Sequence, residues 1–313
     1  MKKKKVIITG AAGFVGLNLI NLIDSKKYNL IVIDKNENNL KFIKEIKPEV
    51  SLINANLAEI KKTWAKYFSR ADCVIQLQAQ ISSPKKEDYI FNNIKTVKNI
   101  LKVCKKYRVK NLIHVSTTGV ISAARDNYST TKTIGEKIVR ESKVPHSILR
   151  PSMIYGCYEV KHLGNLANIL DKTPVLPFPG NGKYLRQPIY VGDLCKVILK
   201  LIDSKPKGQV YNIVGKEQIF FIDMMKTLTK IKNQRRIFLT LPIPIFLLLL
   251  KLYGAITGKK PYQDSQLKAL TAGDIFSSGN WENEFGIKHT SFKYGAKDYI
   301  SSEHKRYLER MLK

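Results

Sequence analysis

Cross-linking residues are scarce in this sequence, and acid is much rarer than base. Four cysteines, Cys73, Cys104, Cys157 and Cys195, are scattered through 313 residues, with no CxxC pair and no histidine at ligand spacing. This excludes a disulfide framework, offers no metal site and fits a reducing cytoplasm. No apolar run approaches the roughly 20 residues of a membrane span. The basic start Met1–Lys5 and the apolar stretch after it mimic a secretory leader. The glycines Gly10, Gly13 and Gly16 and the lack of a convincing small-residue cleavage site make it instead a strand entering a turn. Aspartate and glutamate number 25 against 54 lysines and arginines, a formal charge of +29. That charge favours anionic partners without choosing among them. The lysines are spread along the chain and no recognisable nucleic-acid motif accompanies them, so no nucleic-acid partner is expected.

With 44% apolar residues the chain can bury a substantial core. Short β-branched runs alternate with helical stretches from Val6 to Val214, the pattern of an α/β, Rossmann-type doubly wound parallel sheet covered on both faces. The predicted strands are Val6–Thr9, Leu30–Asp34, Ser51–Ala55, Cys73–Leu77, Asn111–Ser116, Ser147–Arg150 and Gln209–Val214, with helices including Phe14–Asp24, Ile94–Tyr107 and Thr130–Glu141. Pro and Gly clusters after Pro151 mark a less regular region. The expected division is therefore interleaved: a dinucleotide-binding domain over 1–151 and 187–215, a smaller substrate lobe over 152–186 and 216–300, and a C-terminal helix or tail over 301–313. Ile245–Ile256 is apolar nearly all round and bounded by Arg235, Arg236, Lys259 and Lys260. Such a helix is either buried in the lobe or docked in a membrane interface with its basic flanks near lipid head groups.

Thr9-Gly10-Ala11-Ala12-Gly13-Phe14-Val15-Gly16 follows the first strand and opens the first helix, the context that makes a glycine-rich motif a dinucleotide site. Gly10 permits the tight turn, Gly13 lets the backbone approach a pyrophosphate, Gly16 allows close packing, and the helix start at Phe14 and Val15 holds the anion. Asp34, at the end of the second strand, can accept hydrogen bonds from both adenosine ribose hydroxyls and would repel a 2′-phosphate. NAD is the expected cofactor, although Lys35 could tolerate the phosphate of NADP. Tyr128 and Lys132 stand one turn apart on one face of a predicted helix. An ammonium beside a phenol lowers its pKa, which suits Tyr128 to general acid and base work on a hydroxyl. Thr117, just after the fifth predicted strand, can hold the reacting oxygen.

Together these residues resemble the extended short-chain dehydrogenase/reductase family, in particular its nucleotide-sugar epimerases and dehydratases. The resemblance runs through the TGxxGxxG start, Asp34, Asp72–Leu77, Asn93–Asn99, Ser116-Thr117, Tyr128 with Lys132, Arg150-Pro151, Tyr155-Gly156 and Arg186–Asp193. It implies Tyr128 as acid/base, Lys132 as a ligand of the nicotinamide ribose and Thr117 as its assistant. Asn56, Leu57, Leu77 and Gln78 would line the cofactor cleft, with Thr118 and Arg186 on the substrate and the Arg186 guanidinium on a diphosphate. Asn56, Gln76 and Gln78 depart from the family's commoner Asp, His and Ala. Thr118 and Gly119 occupy the place of the Asp-Glu pair of sugar 4,6-dehydratases, which argues against elimination of water.

The resemblance thus implies an NAD-dependent C4-epimerase of a diphosphate-linked sugar, working through a transient 4-keto sugar in cell-surface polysaccharide synthesis. An NAD(P)H-dependent 4-keto-sugar reductase and a non-catalytic NAD-binding subunit are the alternatives. The region 241–260 is similar to bacterial epimerases of N-acetylglucosamine diphosphate undecaprenol. That similarity implies a cytoplasmic protein with peripheral membrane contact through 243–257, and family members are often homodimers.

Overall fold

The computed structural model describes residues 3–258, 273 and 275–311. Its strands begin with β1 (Lys4–Thr9), β2 (Tyr28–Asp34), β3 (Ser51–Asn54), β4 (Cys73–Gln76), β5 (Leu112–Val115) and β6 (His146–Pro151). They continue with β7 (Ile154–Tyr155), β8 (Val175–Pro179), β9 (Leu185–Arg186), β10 (Ile189–Tyr190), β11 (Val210–Ile213), β12 (Ile219–Phe220) and β13 (Ile237–Leu241). Seven of them form one sheet in the order β11-β6-β5-β4-β1-β2-β3, and every pairing in it is parallel. This is the Rossmann-like sheet expected from the alternating pattern. The order reverses between β1 and β4, and ligands of such sheets bind in the crevice at that point, beyond the carboxyl ends of the strands.

The alternation of side chains along β1 divides the core into two layers. Val6 and Ile8 point to one face, where Leu17, Leu19 and Ile20 of α1 (Phe14–Leu22) meet Leu194, Val197 and Ile198 of a later helix, Val191–Asp203. Ile7 points to the other, where α3 (Thr96–Lys106) contributes Val97, Ile100 and Leu101, and α4 (Asn127–Glu141) contributes Val139. Between α1 and α3 in the chain, α2 (Glu37–Ile46) follows β2 and buries Leu40, Phe42 and Ile43. The helix over Asn127–Glu141 starts three residues earlier than predicted, because Asp126 and Ser129 form a reciprocal capping box. A π-helical segment, Ile90–Lys95, precedes α3.

Beyond Pro151 a third cluster collects Leu163, Leu176, Phe178, Met224, Met225 and Phe292. It is built on the parallel pair β8 and β13 and on the helix Phe221–Ile231. We label the remaining helices used below α5 (Val191–Asp203), α6 (Phe221–Ile231), α7 (Ile243–Thr257) and α8 (Ser302–Met311). All four cysteines are free and buried.

Of the two readings of the apolar helix, burial fails. Along α7 no side chain that can be described is buried: Leu248 is 57% exposed, Leu252 51% and Ile256 84%. The physical reason is that a helix apolar on every side needs neighbours on every side. Here its start lies against the loop at Gly180, and its other faces lack such cover among the described residues. Lys259 and Lys260, named as its basic flank, lie outside the described residues. Among the described residues no helix is long and apolar enough to cross a membrane.

Candidate active site

The carboxyl end of β1 turns sharply at Gly10, whose φ of +69° is a left-handed conformation that favours glycine. A Cβ there would lie 2.3 Å from the backbone nitrogen of Gln78, so β1 and the segment after β4 close on each other only around glycine. At Gly16 a Cβ would lie 2.2 Å from the Ala11 carbonyl oxygen, which lets α1 start directly under the turn. Gly13 is the exposed N-cap of α1 and carries no side-chain cap, and the first helical donor is the Leu17 amide on the Gly13 carbonyl at 2.9 Å, so the amides of Phe14 and Val15 have no acceptor within the helix.

Asp34 closes this turn from the side. Its two carboxylate oxygens accept from the Ala12 amide at 3.0 Å and the Asn36 amide at 2.9 Å. Burial raises its pKa, and those backbone donors oppose the rise. Lys35 points elsewhere, donating to Asn92 Oδ1 at 2.9 Å. Gln78 accepts a hydrogen bond from the Thr9 hydroxyl at 2.6 Å, while its Nε2 is buried with no protein partner. An open glycine cradle, an aspartate at the strand end and an orphaned amide donor beside them fit a dinucleotide. Leu77 is half-buried next to Gln78, and its amide donates to the Thr9 carbonyl at 2.9 Å. Asn56 instead caps its own turn, accepting from the Ala58 amide at 3.0 Å, and Leu57 is buried with its carbonyl on Asn99.

On the neighbouring strand the chain leaves β5 through Ser116 and Thr117. Thr117 caps a short 3-10 turn, accepting from the Gly119 amide at 3.2 Å. Its side chain also hydrogen-bonds the Tyr128 phenol from the first turn of α4. One turn on, Lys132 is 3% exposed, and its ammonium donates to the Val115 carbonyl at 2.7 Å. The sequence-based expectation that this ammonium lowers the phenol's pKa is corrected here. Burial pushes Tyr128 up to about 12, the Thr117 hydrogen bond opposes the rise, and Asp126 adds to it. Lys132, engaged with Val115, is itself pushed down to about 8 by burial, with Glu136 pulling it back up.

Glu136 was missed in the sequence, although it stands four residues after Lys132 on the same helical face. It is 4% exposed and accepts from the Ser116 hydroxyl at 3.1 Å and from Arg150 Nε at 3.0 Å, with Arg140 and the Arg150 Nη2 on its other oxygen. These cations hold its carboxyl below the usual range against the opposing effect of burial. The glutamate thereby ties β5, β6 and α4 together directly behind Thr117. Thr118 is buried, so the surface of this turn open to a sugar comes mainly from half-buried Thr117. Arg186 is half-buried on β9, held by antiparallel pairing of β9 with β12.

The glycine cradle with its aspartate lies at the carboxyl ends of β1 and β2, and the threonine, tyrosine and lysine group at the end of β5 in the same sheet. The sequence pattern of the NAD dependent epimerase/dehydratase family matches residues 6–214. The chain belongs to this family. It is 28% identical over 270 residues to the dTDP-D-glucose 4,6-dehydratase of Dictyostelium discoideum, covering 73% of this chain but only 62% of that protein. It is 24% identical over 281 residues to the N-acetyl-alpha-D-glucosaminyl-diphospho-ditrans,octacis-undecaprenol 4-epimerase of Escherichia coli O157:H7, covering 82% and 81% of the two chains. Among solved structures, the UDP-glucose 4-epimerase of Thermotoga maritima with UDP-glucose superposes with a TM-score of 0.76 at 19% identity, over 99% of this chain and 100% of that one. The Bacillus cereus UDP-glucuronic acid 4-epimerase in complex with NAD gives 0.72 at 21% identity, over 96% of each chain. At these identities the superpositions show that the chain shares the fold.

Proposed function

We propose that the chain is an NAD-dependent C4-epimerase of a diphosphate-linked sugar. The observation that carries this reading is the hydrogen-bonded Thr117–Tyr128 pair, one helical turn from buried Lys132 and at the same end of the sheet as the glycine cradle, with β4 between them. Gly10, Gly13, Gly16, Asp34 and Gln78 would hold NAD, which when bound supplies an acceptor for the C4 hydride and returns it. Tyr128 Oη would take the proton from the sugar's O4 and give it back after the 4-keto sugar has turned over. Thr117 would hold that oxygen in place, and Arg186 would clamp the diphosphate. Neither Thr118 nor Gly119 has a side chain that ionises near neutral pH, so loss of water from the sugar lacks an acid and a base there.

The decisive measurement incubates the purified protein with UDP-sugars and polyprenyl-diphosphate sugars and no added nicotinamide. Interconversion of C4 epimers is the expected result; activity that requires stoichiometric NAD(P)H would replace the epimerase with a reductase.

Of the two carriers, the polyprenyl diphosphate is favoured by α7. Gly180, on the loop that leads to Arg186, donates its amide to the Leu241 carbonyl at 2.7 Å, one residue before the turn into α7. The exposed apolar helix thus adjoins the segment that carries the diphosphate-binding arginine. Near it in the chain stand Lys226, Lys230, Lys232, Arg235, Arg236 and Lys251, with no aspartate or glutamate from 226 to 258, although Lys226 pairs with Asp223 and Lys232 with Asp171. Exposed apolar side chains beside a stretch of net positive charge match an anionic bilayer, which holds both the lipid carrier and negative charge. The protein should therefore sediment with phosphatidylglycerol-containing vesicles and stay free of phosphatidylcholine ones. Leu248→Glu/Leu252→Glu should cut that binding about 10-fold or more. Equal binding by the variant would remove α7 as the contact.

A further inference from the structure

The last helix, α8, reaches back across the sheet edge to α2. Tyr307 is 3% exposed and packs between the rings of Phe42 and Tyr158, with centroids 5.3 and 5.2 Å away. Arg310 lies over the Phe42 ring, pairs with Glu45 and donates to the Asn38 carbonyl at 3.3 Å, and Arg306 joins it on Glu45 at 3.3 Å. Buried His304 accepts the Tyr158 amide at 3.0 Å on its Nδ1. These contacts fix the outer side of α2.

The inner side of α2 presents Asn39, which is 7% exposed. Its side-chain nitrogen donates one hydrogen to the Ala12 carbonyl at 2.9 Å and the other towards the Tyr307 hydroxyl at 3.4 Å. Ala12, through its own amide, holds Asp34 Oδ2. A single carboxamide therefore links the C-terminal helix to the peptide that shapes the glycine cradle and orients the ribose-binding carboxylate. Neither Tyr128 nor Lys132 shares a contact with this chain of groups among those described.

We propose that α8 is a retention clamp on the cofactor loop, with Asn39 as the positioning residue through which it acts. This rests on reading the glycine cradle as the NAD site. The clamp limits how readily the 10–13 turn and Asp34 relax apart, and so sets the rate at which NAD leaves without touching the proton transfer. An epimerase that reuses one NAD through many turnovers needs such retention, because each loss of the dinucleotide ends its activity until another binds.

The test measures NAD dissociation from the full-length protein by stopped-flow displacement, alongside kcat at saturating NAD. Asn39→Leu keeps the side-chain shape close to that of asparagine and removes the donor to Ala12 without adding a charge. It should release NAD about 5- to 10-fold faster, as loss of one buried hydrogen bond predicts, with kcat unchanged. Tyr307→Phe keeps every ring contact and removes only the hydroxyl; it should speed release by a smaller factor. Tyr307→Phe should add nothing to Asn39→Leu in the double variant, since both act through one link. Should Asn39→Leu fail to fold, Tyr307→Phe decides alone. A wild-type protein that binds no NAD overturns the cofactor-site reading itself. A wild type that binds NAD, with a Tyr307→Phe variant that releases it at the wild-type rate, overturns the clamp. Faster release accompanied by an equal fall in kcat marks a general structural role and overturns it as well.

Discussion

Replacing Tyr128 with phenylalanine is expected to lower kcat by about 10²- to 10⁴-fold while leaving NAD binding intact, because positioned proton transfer contributes on that scale. The phenol's ring stays at the start of α4, and only the oxygen that hydrogen-bonds Thr117 is lost. Since burial holds the phenol protonated, wild-type kcat/KM should climb with pH between about 6 and 9, as a base that must first lose its proton requires. The limb should be absent from the residual activity of Tyr128→Phe. Steady-state assays across pH, with NAD binding followed by fluorescence, check both parts. Turnover retained at the wild-type level would remove Tyr128 from the chemistry.

Lys132→Met is expected to move activity and stability in opposite directions. Activity should fall about 10²-fold or more, the lower range for a group that assists proton transfer. Thermal stability of the NAD-free protein should rise at pH 7, because the wild type buries an ammonium whose burial pushes its pKa down to about 8. The sign follows from linkage: between about pH 8 and 10.5 the unfolded lysine binds more protons than the folded one. Wild-type stability from this group therefore increases with pH across that window. The advantage of the methionine variant should be largest below pH 8 and shrink towards pH 10.5. The unpaired Val115 carbonyl that the variant leaves behind works against the gain and limits it to about 1–2 kcal/mol. Melting curves of the two proteins at pH 7 and pH 10 measure it, and a destabilised variant at pH 7 would show that Lys132 repays its burial in the folded state.

The sheet was legible because parallel strands covered on both faces carry near-continuous aliphatic runs, as in Val6-Ile7-Ile8 and Cys73-Val74-Ile75. The glycine turn was legible for a different reason. Gly10 and Gly16 meet backbone atoms where any Cβ would collide, and such positions show as glycine whatever surrounds them. The electrostatics of Tyr128 were not legible. An i, i+4 spacing says that two side chains share a face, yet the rotamer of Lys132 is set by the Val115 carbonyl, which belongs to another element. Glu136 was hidden in the same way, since its partners Ser116 and Arg150 come from two different strands. For α7 the composition signalled an all-round apolar helix but held no information on how many neighbours it would meet. The link from Tyr307 through Asn39 to Ala12 joins residues 268 and 27 positions apart, and no local pattern announces either step.

The four sealed thiols give this fold an internal set of reporters. Cys73 sits in the central sheet, Cys104 on α3, Cys157 beside Ser301 just before α8, and Cys195 on α5 against the Val15 carbonyl. Burial pushes the Cys104 and Cys157 thiols up to about 12, which keeps them as inert thiols while the chain is closed. Alkylation of any one of them therefore counts openings around it, with Cys104 reporting on one layer of the core and Cys73, Cys157 and Cys195 on the other.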